Sequence, residues 1–193
     1  VKEKGVMELV EAMKHVRHGH PGARLLIVGQ GYLRDHLIER ARRLGLEGTV
    51  VVLDRFLGLE EKLAFYAAAD VAVFPSLYEP FGIVALEAMS MGKPVVVSDV
   101  GGLAEVVEPM VNGLKVPCCD PHALAGAISW ILDHPDEASR MGTNGARIAR
   151  ERYSWNVLAE RTLETYRRVL REYESSGWRA ATCYNARGSS SRT

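Results

Sequence analysis

Apolar positions along this chain follow two alternating rhythms. Val6, Leu9, Val10, Met13 and Val16 recur three and four residues apart, which predicts an amphipathic helix over residues 5–18. The turn His20-Pro21-Gly22 stops it. Leu25-Leu26-Ile27-Val28 is then a short, continuous apolar run, the pattern of a buried parallel strand. Leu33, Leu37, Ile38, Ala41 and Leu44 mark the next helix, with Gly45 where a C-cap glycine belongs. The unit repeats. Residues 50–53 read as a strand, 60–68 as a short helix, and 71–74 as a strand that stops at Pro75. A helix over 82–91 and a strand over 94–98 follow, then Gly101-Gly102 with a short helix, and a final strand over 114–116. Helices are predicted near 121–133, 136–151 and 155–174, the last with Ser154 as its N-cap and Trp155 as its anchor. Strands alternating with helices give an α/β fold, with right-handed crossovers and a parallel sheet covered on both faces.

Periodicity ends at Ser175. The last stretch, SSGWRAATCYNARGSSSRT, is rich in Ser, Arg and Gly and reads as a disordered tail over 175–193, leaving one domain over 1–174. A length of 193 residues, 47% of them apolar and 25% charged, suits one soluble domain with a real core. The formal net charge of zero gives no bulk attraction for nucleic acid or an anionic membrane. No apolar run is long enough for a transmembrane segment, and the opening VKEKGVMELV has neither a signal-peptide core nor an initiator Met, as expected of a fragment or processed chain. Cys118, Cys119 and Cys183 make no disulfide framework and no CxxC metal spacing, so they read as reduced thiols in a cytoplasmic protein. His18 and His20 form an HxH pair beside Pro21, which reads as a surface turn rather than a metal site.

Parallel sheets of this kind bind ligands beyond the carboxyl ends of their strands. After the third strand comes Glu79-Pro80-Phe81-Gly82-Ile83-Val84-Ala85-Leu86-Glu87. Pro80 and Gly82 shape a turn that opens a helix, and a helix start offers unpaired amides and partial positive charge to a phosphate. Glu87 lies about 7–8 Å along that helix at about 1.5 Å per residue, while Glu79 sits on the loop before it. Two carboxylates near a diphosphate repel it unless they hold sugar hydroxyls. Spacing alone leaves open that Glu87 is only a solvated helix residue. Gly29-Gln30-Gly31 follows the first strand, but Arg34 stands where a dinucleotide fingerprint has its third glycine, so the pair reads first as a tight strand-to-helix turn. Arg55-Phe56-Leu57-Gly58 follows the second strand, with Phe56 also readable as a core residue. Ser98-Asp99-Val100-Gly101-Gly102 follows the fourth, where adjacent glycines let backbone approach a ligand closely and Glu105 reads as structural.

The run PSLYEPFGIVALEAMSMGKPVVVSDVGGLAEVV, residues 75–107, resembles the signature of the GT-B retaining glycosyltransferases (glycosyl transferases group 1), the family of glycogen synthases and sucrose-phosphate synthases. Glu79 and Glu87 match its two glutamates, and the similarity extends from Lys2-Glu3-Lys4-Gly5 to about Leu170. The resemblance implies the Rossmann-like C-terminal, donor-binding half of a GT-B fold. Glu87 would bind the nucleotide ribose, and Glu79 would hold the donor sugar or assist the reaction. The amides of Phe81, Gly82 and Ile83 would bind sugar and diphosphate, and Lys4 would neutralise the diphosphate. The family's companion arginine, a few residues upstream of that lysine, lies outside this chain. The Gly29 loop would approach the nucleotide, and Phe56 with Leu57 would frame the base.

The implied reaction is retaining hexosyl transfer from a nucleotide sugar, ADP- or UDP-glucose being favoured, to a saccharide acceptor held by an N-terminal domain absent here. Acceptor attack would come on the face from which the phosphate leaves, with that phosphate helping to take the proton. No metal and no cofactor are implied, and no DxD-like pair is present to hold one. A non-catalytic nucleotide-sugar-binding module and a GT-B nucleotide-sugar epimerase are the alternatives. A Rossmann oxidoreductase is disfavoured by the missing third glycine.

Overall fold

The computed structural model describes residues 2–176, and the chain divides into a unit spanning Val1–Tyr153 and a second spanning Ser154–Thr193. The first unit opens with a single 3-10 turn, Lys2–Lys4. It continues as α1 (Val6–Gly19), β1 (Leu25–Val28), α2 (Arg34–Arg43), β2 (Val50–Leu53), α3 (Leu59–Ala68) and β3 (Ala72–Phe74). Then come α4 (Ile83–Ser90), β4 (Val95–Ser98), α5 (Gly101–Val106), β5 (Gly113–Val116), α6 (Pro121–Asp133) and α7 (Pro135–Tyr153). Every element expected from periodicity is present, with bounds shifted by a residue or two. The division at Tyr153/Ser154 separates the last helix from the domain that the pattern reads as continuous to residue 174.

The strands are all parallel, but their hydrogen bonds form two sheets: β1 with β2, and β3-β4-β5 with β4 central. β4 is what the continuous apolar run promises, since all of its residues are buried. Its side chains alternate between two clusters, as the period of a strand requires. Val96 belongs to a core built from Leu9, Val10, Met13 and Val16 of α1 against Leu124, Ile128 and Ile131 of α6. Val95 and Val97 belong to a second core with Ala85, Ala88 and Met89 of α4, Leu103 and Val106 of α5 and Ile148 of α7. Helices thus cover both faces of the central strand.

β1 and β2 correct the expectation of full burial. Leu25 and Ile27 join the first core, while Leu26 is 41% and Val51 48% exposed. A run of apolar residues predicts a strand, but only the tertiary arrangement decides whether both its faces are covered.

The second unit contains α8 (Trp155–Ser175). Ser154 occupies its N-cap position, but the side chain makes no capping bond, and the Ser154 carbonyl accepts from Leu158 N instead. Trp155 is 84% exposed. Ser175 and Ser176 close the described helix; the rest of the expected tail, 177–193, lies outside the described residues. No described helix is long and apolar enough to cross a membrane.

Candidate functional site

β3 delivers the chain to Pro75, and the segment beyond it is fixed by the 3-10 turn at the start of the chain. Leu77 N donates to Glu3 O at 2.8 Å. Gly5, at φ 62°, sits so close to Pro75 that a Cβ there would lie 1.8 Å from the Pro75 oxygen, so only glycine fits. This packing carries Lys4 to Glu79: Nζ lies 2.5 Å from Oε2. Among the described residues Glu79 is the one charged residue that is buried, and its counter-ion explains how it is accommodated.

The loop from Glu79 to Gly82 is held from the other side by the Gly101-Gly102 pair. Gly102 N donates to Glu79 O at 2.9 Å. A Cβ on Gly101 would stand 2.1 Å from the Glu79 oxygen, and one on Gly102 would stand 2.3 Å from the Phe81 oxygen. The close approach that adjacent glycines permit is therefore made to the Glu79–Phe81 backbone, which corrects the reading of this pair as a ligand-facing loop. Glu105 is exposed. Gly82 starts α4 in the left-handed region at φ 89°, and its carbonyl accepts from the amides of Ala85 and Leu86. The Ile83 and Val84 amides precede the first intrahelical acceptor and belong to the donor end of the helix. Phe81 meets Tyr153 edge to face, with ring centres 6.3 Å apart, and Ile83 is exposed.

Glu87, farther along α4, is no solvated helix residue. Its Oε1 accepts from Lys62 Nζ of α3 at 2.5 Å. Its Oε2 is buried and has no hydrogen-bond partner. Tyr66, one turn beyond Lys62, packs close enough that burial first and the Glu87 carboxylate second push its phenol well above the usual tyrosine range. Neither Lys62 nor Tyr66 stood out in the sequence. Their i, i+4 spacing places them on one helix face, but nothing in it tells which helix that face meets.

The other expected residues stand on the β1–β2 pair. Gly29, at φ 140°, uses its amide to bond Leu53 O at 3.1 Å, tying the carboxyl ends of the two strands together. Arg34 opens α2 and pairs with Asp35. Phe56 is 82% exposed, which overturns its reading as a core residue, whereas Leu57 is buried. Gly58 starts α3, and Lys62 from that helix reaches Glu87. The exits of β2 and β3 are thereby joined by an ion pair. Among the described residues, no cluster of three or more His, Cys, Asp and Glu could hold a metal ion. His18 is exposed and His20 lies 3.6 Å from Asp133. Cys118 and Cys119 are exposed free thiols, and Cys183 lies outside the described residues.

Known proteins place this arrangement. The sequence profile of the glycosyl transferases group 1 family matches residues 1–148. Glycogen synthase of Mycobacterium tuberculosis is 41% identical over 174 residues, covering 85% of this chain and 39% of the relative. Sucrose-phosphate synthase from Thermosynechococcus elongatus superposes with a TM-score of 0.78 at 36% identity, over 89% of this chain and 43% of that one. Anabaena HepE, solved in complex with UDP-glucose, superposes with a TM-score of 0.78 at 29% identity, over 87% of this chain and 46% of that one. The chain thus spans less than half the length of each of these relatives. It belongs to the glycosyl transferases group 1 family, and its parallel α/β unit corresponds to the C-terminal half of the family's GT-B fold.

Proposed function

We propose that this chain is the donor-binding part of a retaining hexosyltransferase, taking a nucleotide diphosphate sugar. One observation carries the reading: a buried carboxylate, Glu79, held beside the Lys4 ammonium at the amide end of the helix that bears Glu87. Cation and helix amides suit a diphosphate on which negative charge grows as the bond to the sugar breaks. Glu79 suits the sugar hydroxyls, and Glu87 the ribose hydroxyls. Backbone amides of Phe81, Gly82 and Ile83 supply further donors. Phe56 and Leu57, beyond β2, border the base, and Gly29 brings the β1 exit alongside the nucleotide.

ADP- and UDP-glucose are the favoured donors, UDP-glucose being supported by the HepE complex among the similar structures. The acceptor is a saccharide, held by an N-terminal domain outside this sequence, and the reaction needs neither metal nor other cofactor. On this reading the 193-residue chain binds donor and transfers little by itself. Its setting is the cytoplasm, where Cys118 and Cys119 remain thiols.

Calorimetric titration with UDP, ADP, GDP and their glucose or mannose conjugates tests the reading, with Glu87→Ala as control. Binding of one nucleotide series, weakened in the variant, is the expected result. Absence of binding to every nucleotide, or transfer to a saccharide by this chain at the rate of a full-length transferase, would overturn it.

A further inference from the structure

Glu87 is a half-buried acid of the site whose two carboxylate oxygens are held unequally. Oε1 is held by Lys62, an ion pair between two helices, with the lysine side chain 34% and the glutamate 21% exposed. Oε2 is buried and has no hydrogen-bond partner. A buried acceptor left unpaired is costly, so native structures rarely keep one without a partner arriving from elsewhere. Each carboxylate oxygen has two lone-pair sites, so Oε1 can retain Lys62 and still accept a second donor while Oε2 accepts its first. A pair of adjacent hydroxyls supplies two such donors.

Lys62 also has a particular place in the chain. Its amide donates to Gly58 O at 3.0 Å, in the first turn after the Phe56–Gly58 segment that leaves β2. The ion pair therefore fixes Glu87 relative to the segment that borders the base in the proposed site. A glutamate on a helix surface samples several rotamers, and a partner on a second helix selects one. Tyr66, one turn farther along α3, brings its phenol to the same carboxylate, a second α3 side chain that orients it.

Building on the donor-binding reading above, we propose that Lys62 is a positioning residue for ribose recognition, fixing the Glu87 carboxylate so that the chain selects ribonucleotides over their deoxy counterparts. Lys62 acts through Glu87 and does not touch the nucleotide phosphates.

The test is titration of the 193-residue chain, and of its Lys62→Met, Lys62→Arg and Glu87→Ala variants, with UDP, ADP and the 2′-deoxy and 3′-deoxy forms of each. Wild type is expected to prefer the ribonucleotides. Lys62→Met should weaken ribonucleotide binding about tenfold, as when a charge-assisted bond ceases to hold an accepting group, and leave deoxynucleotide binding nearly unchanged. Lys62→Arg should restore most of the preference. Equal weakening of ribo and deoxy forms overturns the proposal, because it marks a phosphate contact or general loosening. So does an unaltered preference in Lys62→Met. Melting curves identify any unfolded variant, and Lys62→Gln, closer in length and polarity, then takes the place of the methionine. The Glu87→Ala arm separates the two levels of the argument. If it keeps the ribose preference, the assignment of Glu87 to ribose fails and this inference with it. If it abolishes the preference while Lys62→Met retains it, only the role of Lys62 is lost. Failure of wild type to bind any nucleotide overturns both.

Discussion

Lys4 Nζ lies 2.5 Å from Glu79 Oε2, joining the first turn of the chain to a loop 75 residues later. Three contacts enforce the meeting: the Leu77–Glu3 backbone bond, the fit of Gly5 against Pro75, and the clamp of Gly101-Gly102 on the Glu79 loop. The lysine side chain is 48% exposed and the carboxylate only 12%. The cation is thus the half of the pair that an incoming anion can reach.

Replacing Lys4 by methionine should therefore separate phosphate binding from nucleoside binding. We expect Lys4→Met to weaken UDP or ADP about tenfold and to leave the bare nucleoside unaffected, since a charge-assisted bond contributes roughly 1.5–3 kcal/mol. Calorimetry with UDP against uridine, or ADP against adenosine, checks this. Equal affinity of wild type and variant for the diphosphate would remove Lys4 from the phosphate site and favour a role confined to neutralising Glu79.

The glycine clamp predicts a stability change that is large for one methyl group. Gly102→Ala drives a Cβ into the Phe81 backbone, and Gly101→Ala does the same to Glu79 from a left-handed φ of 46°. Each should cost about 2–4 kcal/mol and displace the loop that carries Glu79. Gly126 of α6, with nothing within 4 Å of its would-be Cβ, is the counterpart. Gly126→Ala should stabilise by about 0.5–1 kcal/mol through helix propensity. Urea unfolding of the three variants measures all of this, and a clamp variant as stable as wild type refutes the steric account.

Phe56 offers the opposite test, of binding without stability. At 82% exposure, its removal should change stability by less than about 0.5 kcal/mol. If its ring borders the base, Phe56→Ala should weaken nucleotide binding about tenfold, within the roughly 1–3 kcal/mol range of base–aromatic stacking. Unchanged affinity would take Phe56 out of the proposed site.

Tyr66 makes a prediction at alkaline pH. Burial, and then the nearby Glu87 charge, raise its phenol above the ordinary tyrosine value of about 10. The folded pKa is the higher one, so the contribution to stability is fully present below pH 10 and is lost as pH rises from there toward the folded value. Absorbance titration should show a tyrosine step above the ordinary range, and Tyr66→Phe should remove that late step. A titration curve that Tyr66→Phe leaves unchanged at its alkaline end would contradict the placement of Tyr66 beside Glu87.

The order of helices and strands was legible in the sequence because side-chain periodicity is a local property. Val6, Leu9, Val10, Met13 and Val16 must share a face of α1 whatever lies opposite. The Glu79–Glu87 spacing was equally legible: residues on one loop and the helix it opens cannot separate far. Partners distant in sequence were not. Lys62 looked like one charge among several in Leu59-Glu60-Glu61-Lys62 until α3 met α4 and brought it to Glu87. Gly101-Gly102 signalled a close approach, yet only packing decided that the approaching group is the backbone of Glu79 and Phe81. Phe56 and Trp155 carry the same apolar signal as core aromatics, but burial depends on which surfaces meet, and both are exposed. Leu25–Val28 and Val95–Ser98 read alike as apolar strands, and only β4 has packed layers on both faces. The sequence by itself determined the elements and the loop that carries the candidate chemistry. The tertiary structure decided which charges pair, which glycines are pressed against backbone and which strand faces lie bare, because those depend on contacts between segments that local preference does not couple.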